Sequence, residues 1–197
     1  GLPPSEAEGA ASGALLRAAW PLLHEIAALG PWRGRMHYAT GSEGLTPAPF
    51  VLDGTMQVEI REGRCTLTSS VVLPGGAERV VRMAGDLGEE AGTAARLEKV
   101  GGGGPISVML CEHTAARQLL LRELNTTSGE SVLAATIVLL AGGGGGAPEL
   151  LQTAHELARP GGAVSGVQMW RMAPDEPAAG GAAAAAQPLT EDHDEEA

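Results

Sequence analysis

The side chains with the clearest chemical potential are arginines within predicted strands. Arg79 shares one side of its strand with Val81 and Met83, and Arg122 and Glu123 flank the apolar run Leu119–Leu121. A guanidinium can bind a carboxylate through two parallel hydrogen bonds, so an arginine that points into a barrel can anchor an acidic group of a ligand. The alternative is an arginine that points outward and pairs with a glutamate on a neighbouring strand.

Three more residues are candidates for ligand contact. Gln168 and Trp170 are two residues apart on a predicted strand and therefore share one face. They offer a polar anchor and a stacking surface, unless Trp170 only plugs the interior. His155 lies on the preceding strand, where it is either a ligand of a metal or tetrapyrrole or a hydrogen-bonded sheet histidine. The predicted ligand-binding residues are Arg79, Arg122, His155, Gln168 and Trp170.

The sequence contains no recognisable catalytic or metal-binding motif. Cys111 and His113 are two residues apart on a predicted strand and share a face, but nucleophilic catalysis also needs a group that orients the histidine. The spacings Cys-x-x-Cys, His-x-His and His-Glu-x-x-His do not occur, so we expect no metal site. The glycine runs 101–104 and 142–146 lack the Lys and Ser/Thr of a phosphate-binding loop. We therefore predict no catalytic residues.

The clearest pair of strands that could position these side chains is a hairpin. Phe50–Arg61 and Arg64–Leu73 are joined at Glu62–Gly63, and a two-residue loop that ends in Gly favours a tight primed turn. The resulting register places Ile60 opposite Cys65 on one face of the sheet.

Eight further segments have the length and composition of strands, and short connections rich in Gly, Ser or Pro separate most of them. A run of strands without helices between them is typical of an antiparallel up-and-down sheet, which can close into a barrel. We predict a mainly β fold with an antiparallel barrel of about eight to ten strands; a β-sandwich is the alternative. The eight segments are Pro31–Tyr38, Glu78–Ala84, Ala94–Val100, Pro105–His113, Arg117–Leu124, Ser131–Leu140, Leu150–Ala158 and Val164–Met172.

One helical segment precedes the strands. Apolar residues recur at helical spacing over Ala14–Leu29, with Ser12 as a cap before it and Gly30 at its end. Pro21 lies in the middle and is expected to kink this segment or divide it into two helices. We expect the segment to cover one mouth of the barrel or to lie on its outside.

Both ends of the chain have compositions typical of disorder. Residues 1–13 are rich in Gly, Pro, Ala and Glu, and residues 174–197 combine Pro and a poly-Ala run with an acidic block. We expect one barrel domain over residues 14–173, between a disordered N-terminal segment and a disordered acidic tail. The chain begins with Gly rather than Met, which would fit removal of a targeting peptide.

Charge and cysteine content disfavour several classes of protein. The net charge is −11, and much of it comes from the tail, where it provides solubility or an interaction arm. The single Lys and the lack of a basic stripe disfavour nucleic-acid binding. No stretch of about 18 apolar residues occurs, so we expect no transmembrane helix. Two cysteines are too few for a disulfide scaffold.

The sequence Trp32-Arg33-Gly34 on the first strand, after a helix and before a meander of strands, resembles the lipocalin-like (calycin) superfamily. The resemblance implies that Trp32 packs across the base of the barrel together with Gly34. It also implies that an arginine of the final strand, here Arg171, stacks on the indole and bonds nearby carbonyls.

The order of a helix first and a strand meander second resembles the photosynthetic lipocalin-like proteins. These include the bilin lyases of the S/U type and related uncharacterised chloroplast and cyanobacterial proteins. The resemblance implies a chloroplast location, a tetrapyrrole or lipid as ligand, and bilin-lyase activity if the protein is an enzyme.

From these observations we expect a non-catalytic lipocalin-like domain that acts as an assembly factor or structural subunit of a larger, photosynthetic complex. The alternative is a carrier or lyase for a small hydrophobic ligand such as a tetrapyrrole or lipid. An exposed patch rich in Met and Leu would support the first function. A polar-lined cavity on the order of several hundred Å³ would support the second. The aromatic content of 3% leaves Leu, Val and Met to form the walls of a pigment site.

Overall fold

A computed structural model describes residues 6–40, 50–101, 105–142, 146–157 and 164–175. Within these ranges, two helices precede ten strands, and a short 3-10 turn follows the sixth strand. The helices are α1 (Glu6–Ala19) and α2 (Pro21–Leu29). The strands are β1 (Trp32–Thr40), β2 (Phe50–Arg61), β3 (Arg64–Val72), β4 (Glu78–Asp86), β5 (Ala95–Lys99), β6 (Ile106–His113), β7 (Gln118–Asn125), β8 (Ser131–Leu140), β9 (Glu149–Leu157) and β10 (Val164–Pro174).

The ten strands form one closed antiparallel barrel. Each strand pairs with the next along the chain, and β1 pairs with β10 from Trp32↔Pro174 to Thr40↔Gly166. The predicted up-and-down barrel is therefore confirmed, and the sandwich alternative is excluded. This architecture is compatible with a lipocalin-like fold.

The β2–β3 hairpin has the predicted turn and register. Glu62 and Gly63 have φ values of 50° and 79°, and a type I′ turn requires positive φ at both central positions. Ile60 pairs with Cys65, as predicted.

The N-terminal helical segment is longer than predicted and consists of two helices. α1 begins at Glu6, eight residues before Ala14, and so extends into the segment assigned as disordered. Ser12 lies inside α1 rather than capping it. Pro21 starts α2, because a first-turn residue needs no backbone N–H and proline already has a helical φ. The predicted division at Pro21 and the predicted end at Gly30 are both confirmed.

Helix α2 closes one end of the barrel. Its residues Leu22, Leu23 and Ile26 are buried in the core. The first amides of a helix have no partners within the helix, and here the Glu112 carboxylate of β6 accepts hydrogen bonds from the amides of Leu22 (2.9 Å) and Leu23 (3.0 Å). Of the two expected positions, the helix therefore takes the one across a mouth of the barrel.

The barrel is filled near α2 and more open at its far end. Alternate residues of each strand face inward, and those nearest α2 are large, apolar and fully buried. This packed half contains Trp32, Cys65, Leu97, Leu110, Leu119, Leu150 and Met172.

Trp32 and Gly34 lie at the base of the barrel, whereas Arg171 does not. The Trp32 indole is fully buried, and its Nε1 donates a hydrogen bond to the carbonyl oxygen of Ile26 at 3.0 Å. A Cβ at Gly34 would overlap the carbonyl oxygen of Arg171, so glycine allows β1 and β10 to approach. The Arg171 side chain points outward and pairs with Glu149 at 2.9 Å. The expected stacking of Arg171 on Trp32 is wrong, because the inward positions next to Arg171 belong to Trp170 and Met172.

Candidate functional site

The open half of the barrel contains a cavity of about 250 Å³. A second cavity of about 320 Å³ lies nearer the rim and shares Met36, Val71, Arg79, Glu156 and Gln168 with the first. The two cavities therefore form one pocket at the end of the barrel opposite α2. The inner cavity is lined by Met36, Met56, Leu67, Ser69, Ser70, Val71, Arg79, Val81, Met83, Val108, Leu121, Glu123, Leu133, Ile137, Gln152, Glu156, Gln168 and Trp170.

Most of the cavity wall is apolar. Met36, Met56 and Met83 line it together with aliphatic residues and the Trp170 indole. Methionine side chains are flexible and adapt to irregular shapes. Such a wall can hold the apolar body of a small molecule, and it imposes little shape selectivity.

Polar side chains gather at the rim end of the cavity, and we call Tyr38, Arg79, Glu123, Glu156 and Gln168 the mouth cluster. The Tyr38 hydroxyl donates a hydrogen bond to Glu156 Oε2 (2.8 Å), and Gln168 Nε2 donates to Glu156 Oε1 (2.7 Å). Burial and the bond to Glu156 raise the pKa of Tyr38 to about 12. Each carboxylate oxygen of Glu156 is thus held by one donor, Tyr38 on β1 or Gln168 on the neighbouring strand β10.

Glu123 and Arg79 differ from Glu156 in having hydrogen-bonding capacity left. Neither makes a hydrogen bond or ion pair with another side chain of the described residues, although both line the cavity. Burial raises the pKa of Glu123; the charge of Arg79 opposes this rise, that of Glu156 adds to it, and that of Lys99 opposes it. One acceptor and one multiple donor are therefore available to a ligand.

Gly54 makes room for the Trp170 side chain at the cavity wall. A Cβ at Gly54 would lie 2.6 Å from Cζ3 of Trp170 and 2.8 Å from the carbonyl oxygen of Ser70. The Trp170 Nε1 is buried and has no hydrogen-bond partner among the described residues. Trp170 is one of the residues that line the inner cavity.

The structure brings three of the five predicted ligand-binding residues together. Arg79, Gln168 and Trp170 line the cavity. Arg122 and His155 are exposed and lie on the outer face of the barrel, because their strand neighbours Glu123 and Glu156 occupy the inward positions.

Sequence reasoning missed Tyr38, Glu123 and Glu156. The alternation of β9 carried a usable signal, since Ala154 and Glu156 share the face opposite His155. In β7 the run Leu119–Leu121 hides the alternation, so the sequence does not show whether Arg122 or Glu123 faces inward.

The cysteines lie outside the cavity. Cys65 is buried in the packed half of the barrel, and burial raises the pKa of its thiol to about 12. Cys111 and His113 share a strand face as predicted, and that face is the outer one. Within the described ranges, no group of three or more His, Cys, Asp or Glu side chains is placed to hold a metal ion. No helix in the same ranges has the length and hydropathy needed to cross a membrane.

A second feature lies on the outside of the barrel, between Arg122 and His155 on one side and Arg171 on the other. Leu120, Thr136, Thr153 and Met169 are consecutive neighbours in register across β7, β8, β9 and β10. Leu120 and Met169 are 43% and 44% exposed. Val138 and Leu151 form the adjacent pair on the same side. We call these six residues the outer apolar face.

Comparison of the chain with protein-family models, with curated proteins and with solved structures finds no match.

Proposed function

We propose that the protein is a non-catalytic lipocalin-like carrier that holds one small amphipathic ligand inside its barrel. The observation that carries this proposal is the inner cavity of about 250 Å³, which has an apolar wall and the mouth cluster at the end where it meets the rim cavity. A small barrel either fills with side chains or holds one small ligand, and this barrel is filled only near α2. The carrier, which was the alternative function in the sequence analysis, is therefore proposed ahead of the assembly factor or structural subunit.

The cavity volume favours a slender ligand. Sites for drug-sized molecules usually measure about 300–1,000 Å³, and the inner cavity is slightly below that range. An acyl chain or a single ring system fits this volume. A tetrapyrrole is wider, so it would also have to occupy the rim cavity of about 320 Å³.

Native mass spectrometry of the protein isolated gently from its source tests the proposal. We expect an additional mass that leaves on denaturation, and its fragments would identify the ligand. Leu121→Trp would fill part of the cavity and remove this mass. Leu120→Trp, one residue away on the outer face, is the matched control and would retain it. A protein that carries no small molecule and binds no hydrophobic dye would contradict the proposal.

A role as an assembly factor or structural subunit is the second candidate, and the outer apolar face is the observation that favours it. Exposed apolar patches on soluble proteins often mark contacts with a partner. The double variant Leu120→Glu, Met169→Glu would lower the mass of any native complex that uses this face. An unchanged complex would remove the face from consideration.

The resemblance to photosynthetic lipocalin-like proteins extends the proposal to a chloroplast location and to a pigment as cargo. Visible absorbance of the protein purified from its source tests the cargo. The position of a fluorescent fusion in source cells tests the location.

A further inference from the structure

We propose that the mouth cluster recognises an uncharged head group that has both a hydrogen-bond donor and an acceptor, such as a carboxamide, in preference to a carboxylate or an amine. This inference rests on the carrier function proposed above, and it specifies the chemical class of the ligand.

The charges at the mouth balance one another. Arg79 on β4 lines the cavity together with Glu123 on β7 and Glu156 on β9, and Lys99 on β5 interacts electrostatically with Glu123. The attraction of Arg79 for an anionic head group is therefore offset by the two carboxylates. In the same way, the attraction of the two carboxylates for a cationic head group is offset by Arg79 and Lys99. Burying a charged head group of either sign also costs desolvation energy.

Among the charged members of the mouth cluster, the acceptor Glu123 and the multiple donor Arg79 keep hydrogen-bonding capacity for a ligand. Tyr38 and Gln168 both donate to Glu156, which holds that carboxylate in place. Glu123 and Arg79 make no hydrogen bond with another side chain in the described part of the chain. A carboxamide satisfies both, because its N–H can donate to Glu123 and its oxygen can accept from Arg79. In this inference Arg79 donates to the oxygen of a neutral head group, instead of anchoring an acidic group as the sequence analysis expected.

Calorimetric titration of the full chain near neutral pH with three eight-carbon probes tests this inference. The probes are octanamide, octanoate and octylammonium, which share nearly the same apolar body. We expect octanamide to bind about tenfold more tightly than either charged probe, a difference of about 1.4 kcal/mol. Octanoate as the tightest ligand, or equal binding of all three probes, would overturn the inference.

Two variants assign the preference to the two residues. Glu123→Leu removes the acceptor and one negative charge, so octanamide should lose affinity and octanoate should gain it. Arg79→Met removes the donor and the positive charge, so octylammonium should gain affinity while octanamide weakens. Arg122→Leu, an exposed neighbour of Glu123 on the outer face, should leave all ratios unchanged. Ratios that the first two variants leave unchanged would also overturn the inference.

A neutral dye separates this inference from the carrier proposal itself. N-phenyl-naphthylamine has an apolar body and no charge, so it should enter the cavity of the wild type and of each folded variant. If the dye binds and all three probes displace it equally, only the head-group inference fails. If neither the dye nor any probe binds, the carrier proposal fails with it.

Discussion

The carboxylate of Glu112 accepts a hydrogen bond of 2.9 Å from the backbone amide of Leu22, which lies 90 positions earlier in the chain. The second carboxylate oxygen accepts from the next amide at 3.0 Å. Glu112 therefore serves the N-terminus of α2 as a capping residue normally would, although it comes from a strand on the barrel wall. This contact fixes the position of the helix that closes the barrel.

Glu112→Ala is expected to lower the free energy of unfolding by about 1–3 kcal/mol, because it leaves two partly buried amides without an acceptor. Glu112→Gln retains one side-chain oxygen and should cost less. Urea denaturation followed by tryptophan fluorescence measures both changes. His113→Ala, at the exposed neighbouring position, is the control and should unfold like the wild type. An equal loss in Glu112→Ala and His113→Ala would show that the cap contributes nothing specific.

The raised pKa of Glu123 makes the stability of the barrel depend on pH. Burial raises the pKa of its carboxyl in the folded chain above the ordinary value of 4.5. The contribution of the protonated carboxyl to folding stability is therefore fully present below pH 4.5. It is lost as the pH rises through the higher pKa of the folded chain. Glu123→Gln should accordingly be more stable than the wild type at neutral pH, and the difference should narrow as the medium becomes acidic.

Urea midpoints of Glu123→Gln and of the wild type across this acidic range measure the effect. The charged groups that act on Glu123 are Arg79, Glu156 and Lys99, so Glu130→Gln on an exposed loop provides a matched control. A difference between wild type and Glu123→Gln that does not change with pH would contradict the raised pKa.

Gly34→Ala is expected to destabilise the barrel by about 3 kcal/mol or more, because its Cβ would overlap the backbone of Arg171 and Met172. The backbone of β10 cannot move away without opening the β1–β10 ladder. Gly13→Ala is the matched control: it lies in α1 with nothing within 4 Å of the added Cβ, and it should stabilise the helix by about 0.5–1 kcal/mol. Thermal unfolding measures both, and a mild effect of Gly34→Ala would mean that the strands are less closely paired than described.

The two thiols are expected to react at very different rates. Burial raises the pKa of Cys65 to about 12, and its side chain is fully buried, so the reactive thiolate is scarce and inaccessible. Cys111 is partly exposed. Ellman's reagent should therefore modify one thiol of the folded protein and the second only after denaturation. The variant Cys111→Ser should show no fast reaction; a fast reaction in that variant would contradict the burial of Cys65.

The sequence was sufficient to predict the strands but not all of the side-chain directions. The β2–β3 hairpin could be predicted to the level of register, because Glu62–Gly63 specifies a primed turn and the apolar positions alternate on both sides of it. The assignment of Arg122 to the cavity was wrong, because three consecutive leucines precede it and alternation cannot then be read.

Contacts between distant parts of the chain account for the rest. The start of α1 is rich in Ala, Gly and Glu, and its helical structure is accompanied by packing of Leu16 in the core. The composition of the first residues of α1 does not reveal this packing of Leu16. In the same way, nothing near Glu112 indicates that it caps a helix, and nothing near Glu156 indicates that Tyr38 and Gln168 hold it.

The pairing of β1 with β10 ties folding to complete synthesis of the domain. β1 is made first among the strands, but one of its two partners is made last. A nascent chain that ends before Val164 therefore has two open sheet edges, on β1 and β9, and such edges can pair with other chains. Ribosome stalling or truncation upstream of β10 would thus favour aggregation, and release of the final strand removes both edges at once.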